Sequence, residues 1–415
     1  MAKQVLCRFG QWCSRVFAVE CQPNSDPVYF ALSKNPQANL AGEFEKIFGR
    51  AKTYSFHVCT DERFQRAMLY DDLKNKLIPA LPRGSVLDVF SFLPGVNNSL
   101  FRGFLIKDAD AMPIFDELVK SSWVNVCAYV QERDNQWWQH LWSKSEDGTA
   151  VLVDKFCLVP ARMPPCHPST LNIMGNDVFY RFGDAYKVVE QCKEIIPEAK
   201  ELLELVDQNL TLKQAGQFPT IVIEGLDATG KTTLTHSLTA ELGAALLRSP
   251  PQCLSPWRPR FDSEPPLLRR AFYALGNYIT ASQIATASQN TPVVVDRYWH
   301  STAAYAIATA VTGKVDNLPG PGSEVYRWPS DLLRPDLVLL LTVSPEERMR
   351  RLSGRGLEKT QEEAELEANH LFRNKVEQAY KRVEDPACVV VDASPPPDQV
   401  LQEVLRLIRD KCHLN

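Results

Sequence analysis

Two glycines, a lysine and three threonines stand among the nine residues directly behind the β-branched run Pro219–Glu224, in the order Gly225, Leu226, Asp227, Ala228, Thr229, Gly230, Lys231, Thr232 and Thr233. Residues 225–232 fit G-x-x-x-x-G-K-[ST] at every fixed position. Glycines let backbone N–H groups close around phosphate oxygens, and the N-terminus of a following helix adds partial positive charge. Lys231 would reach the β- and γ-phosphates, and the Thr232 hydroxyl can ligate Mg²⁺. Average residue usage would produce this match by chance in about one chain in a hundred of this length. The pattern therefore predicts a nucleoside-triphosphate site with Mg²⁺.

The elements that must position this loop are legible on both sides. "PTIVIE" reads as a buried parallel strand, and "LTHSLTAELG" has helical spacing up to Gly243. Further on, "TPVVVDRYWHSTAAYA" puts Asp296 and Arg297 at the C-terminal end of another apolar strand, the edge where open parallel sheets bind ligands. A carboxylate there can hold a magnesium-bound water, and an arginine can grip an acceptor phosphate through a forked pair of hydrogen bonds. "PDLVLLLTVSPEERMRRLSGRG" adds a strand and then a run of arginines. The run ends in Gly354-Arg355-Gly356, a composition suited to a lid that carries cations. "CVVVDAS" reads as the last strand. Residues 218–415 are thus expected to form an α/β domain: a P-loop NTPase parallel sheet covered by helices on both faces.

The first half reads differently. "RVFAVEC", "VYFALS", "TYSFHV", "SVLDVFSFL", "FRGFLIK" and "SWVNVCAYV" predict strands, while "DERFQRAMLYDDLKNKL" and "AMPIFDELVK" predict helices. "QWWQHLWS" places Trp138 and Trp142 four apart, which predicts one helical face. Residues 15–160 are read as an α+β domain without a catalytic pattern. Residues 161–217, opening in a proline-rich stretch, are read as a linker and helical connection that Pro197 kinks or divides. Residues 1–14 carry Lys3 and Arg8 and no acid, which fits a short mitochondrial presequence or, alternatively, a plain terminus leading into the first strand; the expected location is mitochondrial, with cytoplasmic as the alternative.

Bulk composition narrows the function. The net charge of −4 and pI near 6.0 argue against nucleic acid as the partner. No apolar run reaches membrane-spanning length, so insertion into a membrane is not expected. Eleven cysteines without a C-x-x-C pair fit reduced thiols better than a disulfide framework.

Taken together, "EGLDATGKTT", "VVVDRY", "PDLVLLLTVSPEERMRRL" with its following "RG", and "VVDAS" resemble the thymidylate-kinase family of nucleoside monophosphate kinases. The resemblance covers about residues 220–394. It implies that Lys231 and the loop bind ATP, that Thr232 and Asp296 hold Mg²⁺, and that Arg297 contacts the acceptor monophosphate. Asp227 would reach the acceptor's sugar hydroxyl, Ser301 and Tyr305 would fall on the acceptor side, and Tyr273 would face the pyrimidine. A homodimer is also implied, with small-molecule nucleotides as the other partners.

Three departures from the family pattern bear on mechanism. One type of thymidylate kinase has an arginine after the loop aspartate, where this chain has Ala228; the transition-state cation is therefore expected from the lid, with Arg355 first and Arg351 second. The family's phosphate-clamping arginine has no clean match, and Arg258 or Arg260 would substitute. The family's base-reading arginine falls on Asn277, whose amide can donate or accept and so serve uracil or cytosine. The expected activity is ATP-dependent phosphorylation of UMP, CMP and their deoxy forms to diphosphates. The alternatives are a thymidylate kinase and a catalytically silent nucleotide-binding regulator.

Overall fold

The computed structural model describes residues 11–22, 25–35, 41–49, 52–82, 84–107, 112–118, 121, 123–132, 136–145, 148–210, 216–353 and 369–413. The chain divides into two units. The first comprises Met1–Gly175 with Thr312–Asn317, and the second Asn176–Val311 with Leu318–Asn415.

The first unit is built on eight antiparallel strands: β1 (Val16–Val19), β2 (Val28–Ser33), β3 (Thr53–Val58), β4 (Val86–Phe92), β5 (Phe101–Lys107), β6 (Val124–Gln131), β7 (Trp137–Lys144) and β8 (Ala150–Pro160). They close in the order β1-β2-β8-β7-β6-β3-β5-β4, with β4 pairing back to β1. Among the described residues three α-helices accompany them: α1 (Ala41–Phe48), α2 (Arg63–Ala80) and α3 (Met112–Leu118). The expected α+β domain is therefore corrected to a closed antiparallel barrel, which leaves no open sheet edge where it closes.

Strand alternation explains its two cores. Phe17, Phe30, Val89, Leu105, Cys127, Tyr129, Leu141 and Phe156 form one cluster drawn from strands all around the barrel, joined by Phe44 and Phe48 of α1. The opposite faces of β3, β5 and β6 supply Phe56, Phe104 and Val126, which pack against Leu73 and Leu77 of α2 and Phe115 of α3.

"QWWQHLWS" is a second correction, because it lies in β7 and not in a helix. A spacing of four suits period 3.6 and period 2 equally, and the aromatic composition favours a strand. Trp138 packs under the Lys155 ammonium, 4.8 Å from the ring centroid, and Trp142 meets Phe115 edge-on at 5.8 Å.

Residues 1–10 of the expected presequence lie outside the described residues. Trp12, by contrast, is fully buried in the barrel core and donates from Nε1 to Gln139 Oε1 at 2.8 Å. None of the ten described cysteines is in a disulfide, and no described helix is long and apolar enough to cross a membrane.

The second unit starts with α4 (Phe182–Gln191) and α5 (Glu198–Asn209), separated before Pro197 as the sequence predicts. Its sheet contains β9 (Thr220–Gly225), β10 (Ala245–Arg248), β11 (Val293–Asp296), β12 (Leu337–Thr342) and β13 (Cys388–Asp392). All neighbours are parallel, in the order β10-β11-β9-β12-β13. The helices are α6 (Lys231–Leu242), α7 (Arg258–Asp262), α8 (Pro266–Ala287), α9 (Trp299–Ala310), α10 (Pro345–Ser353), α11 (His370–Arg382) and α12 (Pro397–Cys412). Every residue of β9 is buried, as a central parallel strand requires. From β9 the chain builds first toward β10 and β11 and later toward β12 and β13. The C-terminal end of β9 is thus the switch point at which such sheets form a ligand crevice.

Candidate active site

The loop at that switch point leaves β9 under tight steric constraint. Gly225 has φ +143°, and a Cβ there would stand 2.6 Å from Leu341 O on the neighbouring strand. Gly230 caps α6 with φ +93°, a left-handed conformation that glycine adopts without strain. Between them Ala228 holds φ +64°, unusual for a residue with a side chain.

Lys231 is 8% exposed and donates from Nζ to Leu226 O at 2.8 Å. Burial lowers its pKa to about 8, with the Arg297 guanidinium adding to the effect and Asp227, Asp296 and Glu224 opposing it.

Asp296 ends β11 in register with Ile223, so it stands beside the start of the loop. Its Oδ1 is buried without a hydrogen-bond partner. Arg297 follows with φ +65°; its N–H donates to Ile223 O at 3.0 Å. Its guanidinium donates from Nη2 to Asp227 Oδ1 at 2.8 Å and from Nη1 to Ser301 Oγ at 3.2 Å. The second carboxylate oxygen of Asp227 is buried and unpartnered. A positive-φ arginine ion-paired across to the phosphate loop is a strained, over-determined arrangement of the kind that collects at working sites.

Glu224 orders this region, and the sequence reading missed it. It is fully buried at the end of β9 and accepts from Tyr298 N at 2.8 Å, Ser301 N at 3.2 Å and Ser301 Oγ at 2.5 Å. Tyr380 OH adds a fourth contact at 3.3 Å. Burial raises its pKa, while Ser301 and Arg297 pull it back. The available signal was a lone acid ending an otherwise apolar buried strand. Ser301 thus links Glu224 to Arg297.

One cavity of about 390 Å³ gathers Asp227, Ala228, Gly230, Lys231, Thr232, Asp296 and Arg297 at one side. Arg258, Tyr273, Ser301 and Tyr305 also line it. Arg258 donates from Nε to Tyr273 OH at 3.1 Å, and that hydroxyl donates to Asp262 Oδ1 at 2.8 Å, which fixes the ring. Arg248, Arg269 and Arg270 add cations the sequence reading did not single out. Asn277 is not among the lining residues. It is 1% exposed, and its amide lies between Ser249 Oγ and Thr302 Oγ1, both of which do line the cavity.

A second cavity of about 370 Å³ lies against Thr229, Gly230 and Thr233, with Arg350, Arg351 and Ala393 on its other side. Arg351 donates to Glu347 Oε1 at 2.7 Å and to Ala393 O at 2.8 Å. Arg355 lies outside the described residues. Arg348, first of the arginine run but with no role foreseen from the sequence, is 4% exposed and donates from Nε to Asp227 O at 3.2 Å, bracing the loop from 121 residues away.

A phosphate loop at the switch point of a parallel sheet, lining both of these cavities, defines a P-loop protein of the phosphoryl-transfer class. The thymidylate kinase family model matches residues 223–404. Human "UMP-CMP kinase 2, mitochondrial" is 48% identical over 356 residues, covering 81% of this chain and 78% of the relative. That alignment is longer than the second unit, so it extends into the barrel. Thymidylate kinase of Xanthomonas oryzae is 29% identical over 202 residues, covering 45% of this chain and 82% of its own. A solved thymidylate kinase from Candida albicans covers 48% of this chain and 94% of its own, with 22% identity and a TM-score of 0.38.

The chain belongs to the thymidylate kinase family and is a nucleoside monophosphate kinase.

Proposed function

We propose that this enzyme transfers the γ-phosphoryl of ATP to UMP, CMP and their deoxy forms, producing diphosphates. The observation that carries the reading is the Arg297–Asp227 pair, which puts an acceptor-side cation and the phosphate loop on one cavity. Lys231 would exchange its bond to Leu226 O for donor phosphate oxygens, stabilising charge that grows on them in the transition state. Arg297, held by Asp227 and by Ser301 on Glu224, would orient the acceptor phosphate in line with the donor. The unpartnered Asp227 oxygen is free for a sugar hydroxyl.

The orphaned Asp296 Oδ1, on the same cavity as Thr232, fits a hydrated magnesium ion; bound there with the nucleotide, the ion would neutralise the phosphate charge. Arg351, against Gly230, and Arg355 are the cations we assign to the transferring group, with a lid arginine worth on the order of 10³–10⁵ in rate.

The test is an initial-rate panel of all common monophosphates with ATP. UMP, CMP and their deoxy forms are expected to lead. Marked preference for dTMP over dCMP and dUMP would establish the thymidylate-kinase reading instead, and absence of any turnover would favour the silent regulator.

The mitochondrial name of the human relative supports a mitochondrial location for this chain as well. Imaging a fusion that lacks residues 1–10 tests this. The cut precedes Gln11 so that the core residue Trp12 is kept, and an unchanged mitochondrial signal would rule out the presequence.

A further inference from the structure

A buried amide is tolerated only when both its ends are satisfied, and Asn277 meets that condition through two hydroxyls. Ser249 Oγ donates to Oδ1 at 2.7 Å, and Nδ2 donates to Thr302 Oγ1 at 3.1 Å. Thr302 in turn donates to Trp299 O at 2.8 Å. Both hydroxyl residues line the acceptor cavity, and Asn277 stands behind them.

A hydroxyl has one proton and two lone pairs, so where its proton goes decides what it offers elsewhere. With Ser249 donating to Oδ1, both hydroxyls turn only lone pairs toward the cavity. Rotating the amide by half a turn makes Nδ2 the donor to Ser249, whose O–H is then released to donate into the cavity. Thr302 can turn its O–H from Trp299 O to Oδ1, so the rotated amide is satisfied too. The two orientations have the same shape and differ only in polarity. Uracil and cytosine differ in the same sense at position 4, where uracil shows an O4 acceptor and cytosine an N4 donor.

We propose that the Ser249 hydroxyl meets the position-4 group of the base, and that Asn277, with Thr302 as its second partner, is a positioning residue whose orientation sets the polarity of that hydroxyl for either pyrimidine. This rests on the UMP and CMP reading above. It assigns base contact to a residue that the direct-reading expectation for Asn277 did not include.

The test measures kcat and KM for UMP and CMP between pH 6 and 9 in the full chain, for the wild type, Ser249→Ala and Asn277→Asp. The wild-type CMP-to-UMP ratio of kcat/KM should lie within about tenfold of unity and stay flat with pH. Ser249→Ala should raise both acceptor KM values about tenfold with kcat and the ATP KM nearly unchanged, the pattern of lost base contact. In Asn277→Asp, an ionised carboxylate accepts from the Ser249 hydroxyl and leaves it an acceptor toward position 4, which fits the cytosine N4 donor and opposes the uracil O4, so CMP should gain about tenfold over UMP at high pH. Protonation restores one donor and one acceptor, and the ratio should return toward wild type as pH falls. A ratio that stays flat with pH in Asn277→Asp, or acceptor KM values within about twofold of wild type in Ser249→Ala, overturns the relay. Should the aspartate variant not fold, Ser249→Ala decides alone. Wild-type enzyme that phosphorylates neither nucleotide overturns the substrate reading and the relay with it; wild-type turnover of both with unmoved variants overturns the relay only.

Discussion

Arg297 and Asp227, 70 residues apart in sequence, form an ion pair at 2.8 Å that ties the end of β11 to the phosphate loop. Each is mostly buried, at 23% and 14% side-chain exposure, so the pair is shielded from solvent far more than a surface contact would be. The phosphate loop and the residue proposed to meet the acceptor are therefore one mechanical piece.

Breaking this pair should damage turnover more than folding. Asp227→Asn keeps the shape but leaves Arg297 with a neutral partner. A loss of about 30- to 150-fold in kcat/KM for the acceptor is expected, the scale of removing one member of a shielded charged pair. Steady-state kinetics beside a thermal melt checks this. A melt that falls while kinetics hold would make the pair structural.

Lys231 should give ATP binding a pH signature. Its pKa near 8 in the nucleotide-free protein means the ammonium begins to deprotonate above that pH, while phosphates demand the charged form. ATP affinity should weaken as pH rises above about 8, and Lys231→Arg should remove that dependence because a guanidinium stays charged. The stability sign also follows. Between about 8 and the unfolded value of 10.5 the unfolded chain binds more protons, so this group makes stability rise with pH there. Calorimetric titration across pH 7–10 is the measurement.

Asp296 should be separable from Lys231 by magnesium. With an orphaned buried oxygen as the motive, Asp296→Asn is expected to raise the Mg²⁺ concentration needed for half-maximal rate by at least about tenfold. Part of the rate should return at high Mg²⁺. A magnesium dependence identical to wild type would remove the metal role.

Trp12 should matter to the barrel. Its fully buried indole and its bond to Gln139 predict that Trp12→Ala costs about 3–5 kcal/mol. Denaturant unfolding followed by near-ultraviolet circular dichroism reads the effect. An unmoved midpoint would show that residues around Trp12 are dispensable to the fold.

What the sequence disclosed and what it hid divide along physical lines. The loop, its flanking strand and helix, and the Asp296-Arg297 strand end are local patterns, and local chemistry forces them. Six barrel strands were legible from their β-branched and aromatic runs. Closure was not, because the pairing of β4 back to β1 is a long-range register no local signal encodes. β7 was misread because residues four apart share a face in either a helix or a strand. β8 was missed. The roles of Glu224 and Arg348 escaped notice because they depend on partners 77 and 121 residues away. Asn277 was found as a position, but only packing shows that Ser249 and Thr302 stand between it and the cavity.

The most direct test of the account is a crystal structure with a bisubstrate mimic in which adenosine and uridine are joined through five phosphates. The phosphate chain should run from Lys231 and the loop amides to Arg297, with uracil lying along Tyr273. A chain bound elsewhere, or one that leaves Arg297 and Lys231 without a phosphate oxygen between them, would contradict it.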